Sequence, residues 1–455
     1  MPLAEFPIDK RSALLLDKEN MTKYSISPMS SLYELYLRHP RISTDSRRIE
    51  PDSVFFALRG ASFDGNRFAA DALEKGAAYA VVDDPSLPNT RPDKADRLIV
   101  VDDALQTLQA LAREHRRELG LPILAITGSN GKTTTKELVS RVLSEKYEVY
   151  ATRGNLNNHI GVPLTLLAMT RDVEFGIVEM GASACGEIAL LCSIAEPNYG
   201  IVTNIGRAHL EGFGGPEGVR RGKGELYDWL ARAGGRVFVP ANDPVLMSMA
   251  AERETLAAEC YPTTLADGVE HHLEGDYNRF NVAAAVAVGR YFGVDDERIR
   301  YAVGSYRPDN HRSQKIRTGQ NTLILDCYNA NPSSMQASLV NFRQEPLESC
   351  TRKILILGDM LELGNRSAAE HYRIGRIAAT KADVLYTYGI NAERMVSGAI
   401  TGGMKQKLIE HFDTHEELAH MLKMRARPGD VILFKGSRGM RMEKALALFF
   451  KEEEE

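Results

Sequence analysis

Thr127-Gly128-Ser129-Asn130-Gly131-Lys132-Thr133-Thr134 comes directly after an apolar run, residues 122–127, and opens a segment, 132–145, with Leu138, Val139, Val142 and Leu143 on one helical face. A strand, a glycine-rich turn and a helix in that order suit a phosphate. Glycines let backbone N–H groups turn inward around phosphate oxygens, and the helix start adds its positive end. Lys132 then meets β/γ-phosphate charge, and the Thr133 hydroxyl meets Mg2+. The plainer reading is a glycine turn that merely starts a helix. The usual P-loop has its first glycine where this chain has Ile126, so the loop is a shorter G-x-x-G-K-T form. Motors and kinases of the ordinary P-loop type fit it less well.

The pattern repeats on both sides of this stretch. Residues 175–179 and 200–204 read as buried strands separated by a helix, which predicts a mainly parallel sheet covered by helices. A third βα series places strands at 322–327, 353–357, 384–388 and 431–434. Upstream, 53–58 is β-rich, 80–82 is a strand, 85–96 is a Pro/Asp-rich surface loop, and 104–119 is a helix ending at Gly120-Leu121-Pro122. The division predicted for the 455 residues is a leader at 1–20 and domains at 21–120, 121–312 and 313–455. A chain of this length carries about three domains.

Composition narrows the function classes. Lys+Arg 56 against Asp+Glu 61 leaves a net charge of −5, which provides no global basic field for nucleic acid or anionic lipid. With 44% hydrophobic and 26% charged residues the chain has a folded composition. No apolar run reaches the roughly 18 residues of a membrane span. Cys185, Cys192, Cys260, Cys327 and Cys350 are odd in number and lack a C-x-x-C pair, which argues for a reducing, cytoplasmic compartment.

The short loop and the segments downstream of it resemble the ATP-dependent Mur ligase family, which builds the peptide stem of bacterial peptidoglycan. The resemblance extends over nearly the whole chain from Ser43 onward. It implies a three-domain α/β ligase: a small α/β N-terminal domain, a central parallel-sheet P-loop ATPase-like domain and a Rossmann-like C-terminal domain. Thr127, Gly128, Ser129, Asn130, Gly131, Lys132, Thr133 and Thr134 become the ATP loop, with two Mg2+ ions expected.

Further segments carry the resemblance. Gly154-Asn155-Leu156-Asn157-Asn158-His159-Ile160-Gly161-Val162-Pro163 is similar to the family segment that meets the UDP-sugar peptide, implying substrate contacts at Asn155, Asn157 and Asn158. Read plainly, it is a loop before a helix started by proline. Glu179 ends a predicted strand, where ligands bind in α/β sheets, and can share an ion with Thr133. His209, in Asn204-Ile205-Gly206-Arg207-Ala208-His209-Leu210, is implied as a ligand of the second ion, although a lone histidine after a strand is more often structural. Lys223 reads physically as part of a solvated basic run. The resemblance alone implies that CO2 carbamylates it and that the resulting anion binds the second Mg2+, with Arg221 competing for the alignment. Asn281 is either an adenine contact or a helix-start cap. Arg312 resembles a hinge arginine that reaches the nucleotide, and Asp326 an acid that holds the ribose.

Asp326-Cys327-Tyr328-Asn329-Ala330-Asn331-Pro332-Ser333-Ser334-Met335, with 357–364 and 435–440, resembles the branch that adds D-alanyl-D-alanine to UDP-N-acetylmuramoyl tripeptide. Asn329, Asn331, Ser437 and Arg438 are its substrate candidates. Ser43, Asp45, Ser46 and Arg47, with 55–60 after them, resemble the UDP-binding domain; alternatively Asp45 caps a turn with Arg47 as its surface partner. The implied chemistry is an acyl phosphate made from ATP, then attack by the dipeptide amine, by a monomer with Lys132, Glu179, His209 and Lys223 as its catalytic set. No residue stands out as a general base. Ligand segments in three domains predict closure on binding. The rival readings are a ligase adding a single amino acid, a folylpolyglutamate-type ligase, a slow ATP-hydrolysing binding protein and a nucleic-acid motor.

Overall fold

Every residue of Ile123–Thr127 and Phe175–Glu179 is buried, as in strands covered by helices on both faces. The computed structural model describes residues 28–273, 275–308, 314–318, 320–344 and 352–450. The leader at 1–20 and Arg312 lie outside the described residues.

Three sheets of four or more strands succeed one another along the chain. The first is parallel, in the order Arg41–Ser43, Ser53–Phe56, Tyr79–Val82, Leu98–Val100. The second is also parallel, in the order Ala257–Tyr261, Arg236–Pro240, Tyr199–Val202, Ile123–Thr127, Phe175–Glu179, Val149–Ala151. The third runs Gln314–Arg317, Thr322–Asp326, Val431–Lys435, Lys353–Gly358, Val384–Tyr388, Ile409–Phe412, antiparallel only at its first pair. That antiparallel edge and the outer strands of the central sheet were not predicted. They are short or half-buried, so their apolar signal is weak. The predicted loop at 85–96 contains a single helical turn, Leu87–Thr90, whose approach is tied by Asp84 accepting from the Ser86 N–H at 2.9 Å.

In the central sheet Ile123–Thr127 has neighbours on both sides, and the chain winds first one way and then the other. Such a switch point opens a crevice at the carboxyl ends of the strands. The helix Ala104–Leu119 ends in a left-handed Gly120 and packs in one continuous core with the first and central sheets. From its last turn the Arg116 guanidinium donates to the Ala195 carbonyl and the Asn198 amide oxygen, each at 2.9 Å. Leu210, Phe213 and Val219 of the central segment sit in the core of the third sheet. The carboxyl ends of the central and third sheets meet across a cleft of about 900 Å3.

Candidate active site

The glycine turn is built by close approach. Gly128 has φ +140°, and a Cβ there would lie 2.0 Å from the Thr203 hydroxyl. Gly131 has φ +80°, and a Cβ there would meet the Asn281 amide oxygen at 2.7 Å. Neither place admits a side chain, and left-handed φ favours glycine in any case. The Thr203 hydroxyl (2.6 Å) and the Asn204 amide (2.9 Å) donate to the Asn130 carbonyl, while the Asn130 N–H donates to Asn204 Oδ1 at 3.1 Å. The helix Lys132–Ser144 starts without a side-chain cap, the form an anion site takes. Lys132 Nζ donates to the Gly128 carbonyl at 2.8 Å. Behind the loop, the buried Thr127 hydroxyl donates to the Met180 carbonyl at 2.7 Å.

Glu179 is 1% exposed. Its N–H donates to Thr152 Oγ1 at 2.9 Å, and its Oε1 accepts from Asn157 Nδ2 at 2.8 Å. Its Oε2 is buried with no hydrogen-bond partner. A buried, unpartnered carboxylate oxygen is costly and is the hard donor that a divalent cation takes. The donor set therefore fits a Mg2+ ion. Lys223 is 1% exposed, donates to the Ala182 carbonyl at 3.1 Å and lies 5.1 Å from the Phe213 ring centre. Burial, with Lys132 nearby adding like charge, lowers its amine to about 7. His209 occupies left-handed backbone at φ 51°, and its Nδ1 pairs with Glu362 of the third sheet's loops. That hydrogen bond holds the Glu362 carboxyl below its ordinary range. Among the described residues no three His, Cys, Asp or Glu side chains gather as a metal cluster.

The cleft collects many of the residues singled out from sequence. From the glycine-rich loop come Ser129, Asn130, Gly131, Lys132 and Thr134; from the Asn-rich loop come Asn155, Asn157 and Asn158. Glu179, His209 and Asn281 line it too, and the third sheet contributes Asp326, Asn329, Asn331, Ser437 and Arg438. Thr127, Gly128, Thr133 and Lys223 are not among its wall residues. Ser43, Asp45, Ser46 and Arg47 stand apart from it. There the Ser43 hydroxyl donates to Ser53 Oγ at 3.0 Å, and Arg47 grips Asp45 through its backbone N–H (3.0 Å), Nε and Nη2 (both 2.8 Å). Arg47 holds the Asp45 carboxyl well below the usual range. Asp45 and Arg47 thus form the turn and its surface partner.

Several side chains have protein partners of their own. The helix predicted to begin at 278–281 spans Asn278–Tyr291, and Asn281 lies inside its first turn. Its amide accepts from the Thr135 hydroxyl at 3.0 Å and donates to Asn278 Oδ1 at 2.8 Å. The Ser437 hydroxyl donates to the Ala330 carbonyl at 3.1 Å and accepts from the Leu361 N–H at 3.0 Å. Asp326 is paired at 2.6 Å with the buried Lys435, to which the sequence pattern assigns no role. Thr203, in the predicted strand 200–204, and Glu362, in the 357–364 segment, are given no role by the sequence pattern either. Their importance lies only in what they touch.

The amino-acid patterns match three family models: "Mur ligase family, catalytic domain" over 40–116, "Mur ligase middle domain" over 126–264 and "Mur ligase, glutamate ligase domain" over 311–438. The chain belongs to the Mur ligase family. A Bacillus subtilis (strain 168) relative named UDP-N-acetylmuramoyl-tripeptide--D-alanyl-D-alanine ligase is 36% identical over 432 residues, covering 89% of this chain and 91% of the relative. An Escherichia coli (strain K12) relative of the same name is 31% identical, covering 89% and 92%. Among solved structures, MurF from Acinetobacter baumannii has a TM-score of 0.78 at 30% identity, covering 90% of this chain and 93% of that one. The MurF ligase from Thermotoga maritima in complex with ADP has 0.77 at 28%, covering 91% and 97%.

Proposed function

We propose that this chain is the ligase that joins D-alanyl-D-alanine to the terminal carboxylate of UDP-N-acetylmuramoyl tripeptide. ATP is consumed and ADP, phosphate and the UDP-pentapeptide precursor of peptidoglycan are released. The observation that carries the reading is one cleft that contains the phosphate loop, the unpartnered Glu179 oxygen and the Asn329/Asn331 segment together. The names and coverage of the relatives point the same way.

A carboxylate has no good leaving group, so its oxygen first attacks the γ-phosphorus and ADP leaves. The dipeptide amine then attacks the acyl phosphate carbonyl, and phosphate departs. Positioning and charge neutralisation do most of this work. Lys132 is assigned to the β/γ-phosphates. Thr133 and Glu179 would hold one Mg2+ ion, and His209 with Lys223 a second; bound there, Mg2+ neutralises phosphate charge. An amine lowered to about 7 is substantially neutral near pH 7–8 and can attack CO2, losing a proton to become the carbamate anion. Asn281 and Asp326 are assigned to the nucleoside, with Arg312 as the hinge contact. Asn155 and Asn158 are assigned to the UDP-sugar peptide, and Ser43, Asp45, Ser46 and Arg47 to the uridine diphosphate. Asn329, Asn331, Ser437 and Arg438 are assigned to the dipeptide end of the cleft.

The working division is 21–120 for the UDP substrate, 121–312 for ATP and 313–455 for the dipeptide. A monomer is the proposed state. The free thiols Cys185, Cys192, Cys260 and Cys327 suit a reducing cytoplasm. No described helix is long and apolar enough to cross a membrane.

The test is phosphate release with ATP, Mg2+ and UDP-muramoyl tripeptide, with and without D-alanyl-D-alanine, product masses being read in the same samples. Release that requires the dipeptide, with a UDP-pentapeptide mass, is the expected result. Release with a single amino acid instead would move the enzyme to another step of the same family.

A further inference from the structure

We infer that Asn157 is a positioning residue for the metal-facing carboxylate of Glu179 rather than a substrate contact. The inference rests on the proposed ligase function and deepens it. Asn157 sits in an Asn-rich loop that lines the cleft with Asn155 and Asn158, and its sequence setting is that of a substrate loop. Its side-chain NH2, however, donates to Glu179 Oε1 at 2.8 Å. The loop is pinned there by its backbone, since the Gly181 N–H donates to the Asn157 carbonyl at 2.8 Å.

The consequence is geometric. A carboxylate at the end of a strand can rotate about its side-chain bonds and offer either oxygen. Thr152 Oγ1 fixes the Glu179 backbone, and the Asn157 amide holds one oxygen, leaving Oε2 as the buried oxygen with no partner. An amide donor in this role does not compete for a cation, because it carries no negative charge and bonds the other oxygen of the carboxylate. Partners of this kind orient metal ligands, and their loss typically costs about 10- to 100-fold in metal affinity.

Gly181 provides an independent handle on the same contact. A Cβ on Gly181 would come 2.9 Å from Asn157 Oδ1 and 3.0 Å from its Cγ, so Gly181→Ala pushes the amide aside without deleting it.

The experiment uses the full chain with a non-hydrolysable ATP analogue, and Mn2+ as the probe. Free Mn2+ is read by electron paramagnetic resonance, alongside the Mg2+ concentration for half-maximal phosphate release and the KM for UDP-tripeptide. Asn157→Ala is expected to weaken Mn2+ about tenfold and raise the Mg2+ requirement to match, with the UDP-tripeptide KM nearly unchanged. Asn155→Ala is expected to do the reverse, whereas the Asn158 amide oxygen is taken by the Ile160 and Gly161 N–H groups. Gly181→Ala should weaken Mn2+ in the same direction, and it carries the test should Asn157→Ala melt at assay temperature. Unchanged Mn2+ affinity in a folded Asn157→Ala or Gly181→Ala protein, or a rise in tripeptide KM alone, would overturn the inference. Wild-type protein that makes no UDP-pentapeptide would instead overturn the ligase reading, leaving the Mn2+ result to be judged separately.

Discussion

Lys132 and Lys223 show how surroundings set two copies of one side-chain type apart. Lys132 reaches the cleft and rests on the carbonyls of its own loop, at 2.8 Å from Gly128 and 3.4 Å from Ser129. Lys132→Ala is expected to lower kcat by about 10^2- to 10^3-fold, because charge stabilisation at a transferring phosphoryl group is lost. The same change should alter stability by only about 0.5 kcal/mol, since loop carbonyls beside a cleft can turn to water. Phosphate release and a thermal melt on one preparation separate the two effects, and normal turnover would end the phosphate assignment. Lys223 differs in being buried, which disfavours its charged form. Below about pH 7 the amine is protonated and cannot attack CO2, while above it the neutral form dominates. With 13C-bicarbonate, a carbamate carbon resonance is therefore expected in wild type and absent from Lys223→Arg, stronger at pH 8 than at pH 6. A spectrum identical in both proteins would remove the modification from the scheme.

At the scale of the element, strand–turn–helix from Ile123 to Ser144 depends on two glycines that fail differently on substitution. At Gly128 an added Cβ meets both a hydroxyl at 2.0 Å and the Thr203 backbone nitrogen at 3.0 Å, in addition to φ +140°. At Gly131 it meets only the Asn281 side chain, closest at 2.7 Å. Gly128→Ala is expected to destabilise by about 2–4 kcal/mol, Gly131→Ala by less, since backbone yields less easily than an amide. Urea unfolding of the two variants gives the order, and a reversed order would contradict it. The turn and helix were readable because glycine spacing and a 3.6-residue apolar period are local signals. Asn281 was harder to place. Its residue type suits a cap, and only the bond from the Thr135 hydroxyl shows it to be an internal tie between two helices.

Across the whole molecule the central and third sheets are joined by polar links at the cleft. Asn331 Nδ2 donates to Asn130 Oδ1 at 2.8 Å, and the Arg207 N–H donates to the Ser333 hydroxyl at 2.8 Å. The Arg207 guanidinium pairs at 3.0 Å with the buried Glu370, which Arg373 also grips at 2.9 Å. Polar interfaces of this kind permit relative motion of domains. Glu370→Ala removes the shared carboxylate and is expected to give a larger radius of gyration by small-angle scattering in ligand-free buffer. ATP analogue with UDP-tripeptide should narrow the difference from wild type. Superimposable ligand-free curves would leave Glu370 without a part in holding the domains together.

Sequence reading placed the central βα units, the parallel sheets and the glycine-rich turn, since strand periodicity, glycine spacing and helix faces are properties of neighbouring residues. It also found Glu179 and the Asn-rich loop as ingredients, because a carboxylate after an apolar strand and a run of amides are visible in order along the chain. Partnership was not visible. Asn157 on Glu179, Lys435 on Asp326 and Glu362 on His209 join residues 22, 109 and 153 positions apart. Each such pairing depends on the winding of the sheets and the packing of the third sheet against Leu210 and Phe213, and burial then determines which carboxylate oxygen and which amine lack water. Those tertiary choices leave one Glu179 oxygen without a partner at the cleft and bury the Lys223 amine behind it.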